Sequence, residues 1–236
     1  MLEFSTEYIY TDRETKAEYV WLKYRSILSG KKILDVGADE CYLKKHLDEH
    51  SDYWGIGRGE VDQMVDLECG KLPFKDNDFD TVLCLDVLEH IENIHHIFDE
   101  LCRVSRRYVI VSLPNSFSAF WSYLRFGDYS PGVPIKFHGI PPEPPEDRHK
   151  WFFSHEDAVR FVRNRAEKNN MRIVQIDTEC LQEDHSGIFR QLKTRARNLF
   201  LKSFFRNDLN PKTLYASTLW TVLEKQSVRC LEKYDS

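Results

Sequence analysis

No apolar run in this 236-residue sequence approaches the roughly 18 residues that a membrane span requires. The first residues, MLEFSTEYIYTDRETK, are acidic and carry no apolar h-region of the kind a secretory signal needs. A cytoplasmic location is therefore expected. Six cysteines (Cys41, Cys69, Cys84, Cys102, Cys180, Cys230) are scattered without a CxxC pair, which suits reduced core thiols rather than a disulfide frame or a zinc ribbon. His95, His96 and Asp99 share one helical stretch, but HExxH or comparable ligand spacing is lacking, so no metal is expected. Without a Gly-x-Ser-x-Gly elbow or a Walker phosphate loop, hydrolase and NTPase chemistry fall away. A net charge of −5 offers no general attraction to phosphate backbones, so nucleic acid is not an expected partner.

The hydrophobic residues that are present, 42% of the chain, suffice for one sizeable core. Ala17, Val20, Trp21, Tyr24, Ile27 and Leu28 recur at helical spacing, and Gly30 follows where a left-handed residue ends a helix. Short apolar runs at Lys32–Val36, Asp52–Ile56, Asp80–Leu85 and Tyr108–Leu113 read as buried strands. Between them lie a helical face at Tyr42, Leu43 and Leu47 and a helix over Ile94–Val104. A capping-box pattern at Ser154–Asp157 opens another helix, followed by strands at Met171–Ile176 and Leu219–Leu223. Strand and helix alternate, which predicts a largely parallel sheet with helices on both faces and ligands beyond the carboxyl ends of the strands.

Four segments in order, Ile33-Leu-Asp-Val-Gly37, Leu72-Pro-Phe-Lys-Asp-Asn-Asp-Phe-Asp80, Leu85-Asp-Val-Leu-Glu-His90 and Ser112-Leu-Pro-Asn115, resemble successive motifs of the class I S-adenosyl-L-methionine (SAM)-dependent methyltransferases, the type 11 branch in particular. The closing Trp220–Lys225 stretch is similar to that family's last strand. The resemblance implies an α/β, Rossmann-like sheet of seven strands, mostly parallel, with helices on both faces and the last strand antiparallel. It also implies SAM as cofactor, held by Asp35, Gly37, Ala38, Asp39, Glu60, Asp66, Leu67, Leu85 and Asp86. Two departures stand out. Relatives carry Gly-x-Gly-x-Gly after the first strand, where this chain reads Gly37-Ala-Asp39-Glu-Cys41, and Asp39 there would serve equally as a plain helix N-cap. Relatives end the second strand on an acid that meets the ribose; this chain has Gly57, leaving Glu60 as the nearest substitute.

Methyl transfer to a hydroxyl profits from a base, and His90, His138 and His149 are the candidates. The chain is expected to be a single domain over 1–236 with two insertions. One, residues 116–150, is a Pro- and aromatic-rich stretch expected to form a lid over the acceptor; its Pro141–Asp147 run suits a stiff spacer. The other, 181–212, carries six basic side chains among large apolar ones between 186 and 206, suited either to packing on the sheet edge or to peripheral contact with an anionic membrane. The expected acceptor is a saccharide, lipid-linked glycans included, or another small hydroxylated molecule. The rival readings are a quinone-like lipid acceptor and a catalytically silent binding protein on the same fold.

Overall fold

The computed structural model describes residues 2–126, 143, 148–180, 195–196, 199, 210 and 212–226. Helix α1 spans Arg13–Leu28. Its start is fixed by a reciprocal cap in which the Thr15 amide donates to the Asp12 carboxylate at 2.8 Å, and the Asp12 amide donates back to the Thr15 hydroxyl at 3.1 Å. Ser29 caps its end and Gly30 follows at φ +64°, the left-handed turn that glycine takes without strain. The Thr81 hydroxyl donates to the Ile27 carbonyl at 2.7 Å and so ties that end to the sheet.

The strands are β1 (Lys32–Val36), β2 (Asp52–Gly57), β3 (Gln63–Met64), β4 (Phe79–Leu85), β5 (Ser105–Pro114), β6 (Met171–Cys180) and β7 (Ala216–Lys225). They form one sheet in the order β3-β2-β1-β4-β5-β7-β6. Every adjacent pair is parallel except those made by β7, which runs antiparallel to both β5 and β6. Helices α2 (Ile94–Val104) and α4 (His155–Lys168) cover one face, where Phe98, Leu101 and Val162 meet Leu34, Val36 and Val109. α1 covers the other, where Tyr24 and Leu28 meet Ile33, Ile110 and Trp220. The period of two along β1 sends Asp35 to the α1 face with Ile33, and this decides its neighbours. Among the described residues no helix is long and apolar enough to cross a membrane.

Three segments differ from the sequence reading. Ser116–Phe126, read as the start of an irregular insertion, is helix α3. Tyr42–Lys45 is a four-residue 3-10 turn rather than an α-helix. Strand β3 has no counterpart in the hydrophobic pattern, because its two residues are Gln63 and Met64. The Ser154 capping box forms as expected, with the Asp157 amide donating to the Ser154 hydroxyl at 3.1 Å. The Pro-rich run 141–147, apart from residue 143, and nearly all of 186–206 lie outside the described residues, and so does His138.

Candidate active site

The parallel strands β1 and β4 end side by side, and their carboxyl ends open into a cavity of about 400 Å³. This is where a doubly wound sheet holds its ligand. β1 contributes Asp35, and the turn after it Gly37, Ala38 and Asp39; β4 contributes Leu85, with Asp86 just past its end; the short turn Leu88–His90 adds Glu89 and His90; α1 brings Arg13 and Lys16; and His149 completes the lining.

The turn after β1 explains the missing glycines. Gly37, Asp39 and Cys41 all have left-handed φ, at +82°, +54° and +53°. Asp39 and Cys41 stand at the two positions where the resembled family's pattern places glycine, and as non-glycine residues they carry the strain of a left-handed backbone. The Gly37 and Ala38 amides are both turned to the Ile56 carbonyl, at 2.7 and 3.1 Å, which locks the turn to β2. Any side chain at 37 would run into Val87, so the one glycine that remains is required by packing as well as by φ. Asp39 is no helix cap: its carboxylate pairs with Arg13, and the following turn has Cys41 at its cap position with no side-chain bond.

Charge in the cavity is mixed. The Asp35 carboxylate accepts from the Tyr53 hydroxyl at 2.8 Å. Burial pushes Asp35 up to about 6, against the opposing pull of Tyr53 and of the Lys16 ammonium. At Asp86 the balance goes the other way. Burial again disfavours its charge, but the Lys16 ammonium, the Ser112 hydroxyl at 2.6 Å and the nearby His149 together hold it below the usual carboxylate range. Asp86 is itself left-handed, at φ +54°.

His149 is positioned by its neighbours in sequence. The Lys150 amide donates to the Glu89 carbonyl at 2.8 Å, the Lys150 ammonium pairs with Glu68, and the Trp151 indole donates to the Ile91 carbonyl at 2.7 Å. These contacts lay residues 149–151 over the Leu88–His90 turn. The rings of His149 and His90 then meet edge to face with centroids 4.5 Å apart.

Of the residues expected to hold cofactor, Asp35, Gly37, Ala38, Asp39, Leu85 and Asp86 line this cavity, and Glu60, Asp66 and Leu67 do not. Glu60 is exposed. Asp66 caps the Leu67–Cys69 turn by accepting from the Glu68 amide at 3.1 Å, and it faces Arg58 at 3.4 Å. Two of the three histidine candidates are brought together, and the third lies outside the described residues. Sequence reasoning missed Arg13, Lys16 and Glu89. A signal for Lys16 was available: it begins the stripe Lys16, Val20, Lys23, Ile27, which is otherwise the buried face of α1. His95 and Asp99 have structural work, His95 packing on Trp151 and Phe161 and Asp99 pairing with Arg165.

Comparison with known proteins bears on the fold. The family described as "Methyltransferase domain" matches residues 43–111. A SAM-dependent methyltransferase from Archaeoglobus fulgidus superposes with a TM-score of 0.53 at 16% identity, covering 90% of this chain and 95% of that one. Magnesium protoporphyrin IX methyltransferase from Synechocystis, solved with bound S-adenosylhomocysteine (SAH), gives 0.52 at 15% identity over 90% and 83%. The [4+2]-cyclase SpnF gives 0.53 at 12% identity over 90% and 80%. No curated protein matches the chain. At these identities the solved structures speak to fold alone, and the cyclase among them shows that the fold does not by itself name the reaction. Residues 43–111 match the methyltransferase-domain family, and the sheet around them has the fold of the class I SAM-dependent methyltransferases.

Proposed function

We propose that this protein transfers the methyl group of SAM to a hydroxyl of a saccharide or another small hydroxylated acceptor. The observation that carries the reading is the cavity at the ends of β1 and β4, whose two halves suit the two substrates. On the α1 side, Arg13 and Lys16 face Asp35, Asp39 and Asp86. Cations and carboxylates so interleaved match the zwitterionic amino-acid end of SAM, whose carboxylate would exchange for Asp39 on Arg13 and whose ammonium would meet the Asp35 or Asp86 carboxylate. On the other side Glu89, His90 and His149 converge, groups able to take a proton from, or help ionise, a weakly acidic hydroxyl. The transfer is in-line: the acceptor oxygen forms a bond to the methyl carbon as the carbon–sulfur bond breaks and its electron pair returns to sulfur, giving SAH. Holding the two substrates in that geometry supplies much of the acceleration.

A second reading has its own support. Arg13–Asp39 and Lys16–Asp86 pair across the cavity mouth, and Glu60 and Asp66 stand away from it. These features suit a protein that keeps the fold for binding something other than SAM.

Isothermal calorimetry of the full chain with SAM and SAH separates the two. One-to-one binding of both is expected. No heat with either ligand, from protein shown to be folded by circular dichroism, would overturn the methyltransferase reading in favour of the second.

A further inference from the structure

We propose that Glu89, His90 and His149 form a binding site for a first-row divalent cation of the Mn²⁺ to Zn²⁺ series. One ligand atom from each lies within 4.8 Å of the others. The Glu89 carboxylate already stands 3.6 Å from His90 Nε2. Metal bonds of about 2.0–2.2 Å to nitrogen and oxygen require donors roughly 3–4 Å apart, so a shift of under about 1 Å completes the set. Such a shift is small beside ordinary side-chain adjustment on ligand binding.

The surroundings favour a bound cation over a solvated cluster. Glu89 is only 1% exposed, and a carboxylate is kept in so dry a place where positive charge or a proton compensates it. His149 arrives from a different part of the chain and is fixed there by the Lys150 and Trp151 bonds to Glu89 and Ile91. Tertiary structure thus brings His149 to the adjacent pair Glu89 and His90. Two imidazoles and one carboxylate, with a cavity beside them, make a three-ligand site with positions left for substrate.

The role of this cation rests on the methyl-transfer reading. Its open positions suit an acceptor with two neighbouring oxygens, such as the vicinal hydroxyls of a sugar. A hydroxyl bound to the cation ionises more readily, its proton passing to solvent, and the resulting oxyanion attacks the sulfonium methyl. The substrate class narrows accordingly, from hydroxylated acceptors in general to chelating diols.

The test uses the full chain, stripped with EDTA and titrated calorimetrically with Mn²⁺, Co²⁺ and Zn²⁺ in separate runs. One cation per chain is expected for at least one of the three. His149→Ala and Glu89→Gln should each lower that affinity tenfold or more, whereas Glu92→Gln, an exposed carboxylate nearby, should leave it unchanged. Circular dichroism melts identify a variant that has merely unfolded; His149, outside any helix or strand, is the less disruptive site. No binding by folded native chain, equal affinity in native and His149→Ala proteins, or an equal loss in Glu92→Gln would each overturn the assignment. SAH titration of the same samples keeps the two readings apart. SAH bound without a cation sinks this inference alone, and a cation bound without SAH sinks the cofactor reading while leaving the site.

Discussion

Asp35 is the residue where burial and function pull hardest against each other. It is 8% exposed, on the α1 face of β1, with the Tyr53 hydroxyl as its donor. Its carboxyl is pushed up to about 6 from an ordinary 3.8, chiefly by burial. A raised acid binds more protons in the folded than in the unfolded protein, so its contribution to stability is fully present below about pH 4 and is lost as pH rises through about 6. Asp35→Asn keeps an acceptor for Tyr53 and removes the charge. Urea unfolding should therefore show the variant gaining on the native protein by about 2–3 kcal/mol between pH 4 and pH 7.5, two pKa units' worth of free energy. A stability difference that is flat with pH would mean that Asp35 is not strained by its burial. A carboxylate so costly to bury fits a role at the cavity, where a bound ammonium would meet it.

At the scale of elements, the sheet was legible in the sequence because buried parallel strands are nearly continuous apolar runs. β1 was expected and found at Lys32–Val36, and β4 and β2 differ from expectation by one residue each. β3 was invisible because it is only two residues long, polar Gln63 and exposed Met64, too short to show a hydrophobic pattern. α3 was missed because aromatic density outweighed a helical spacing that was there, Phe117, Phe120 and Leu124. The site was legible only in part. Its glycine turn showed in the motif, but the left-handed φ of Asp39 and Cys41 cannot be seen from residue type, and His149 meets His90 only through the fold. Helix α1 was read as core alone, although it carries Arg13 and Lys16 to the cavity. If those cations receive the carboxylate of the cofactor, Arg13→Ala and Lys16→Ala should each weaken SAH binding about tenfold, the worth of one charge-assisted hydrogen bond. Lys16→Ala should do so more strongly, since its side chain is 15% exposed against 69% for Arg13. Calorimetric affinities equal to native in both variants would remove α1 from the site.

Over the whole molecule, core and cavity are parts of one packing unit, and Trp220 is the link. It is fully buried on β7, three strands from β1 in the sheet, with Tyr19 and Tyr24 of α1 at 5.3 and 6.0 Å and Tyr10 of the preceding segment at 6.5 Å. The Lys23 ammonium lies 5.4 Å from its ring and pairs with Asp177 of β6 at 2.8 Å. The Lys16 ammonium lies 5.2 Å from the same ring while reaching Asp86 in the cavity. One indole therefore seats α1 on the sheet and supports the cation that faces Asp86 in the cavity. Trp220→Ala should cost about 3–5 kcal/mol of stability, as large aromatic truncations in a core do. Trp220→Phe, which keeps a ring, should cost less and leave enough folded protein to titrate. With α1 less firmly seated, Lys16 loses its fixed approach to Asp86, and SAH affinity in Trp220→Phe should fall severalfold although residue 220 touches no ligand. Urea unfolding reads the first effect, and calorimetry at a temperature well below the melting point reads the second. A Trp220→Phe protein that is destabilised yet binds SAH with native affinity would show that the α1 face of the core sets stability alone, and that the cavity is held by β1 and β4 without it.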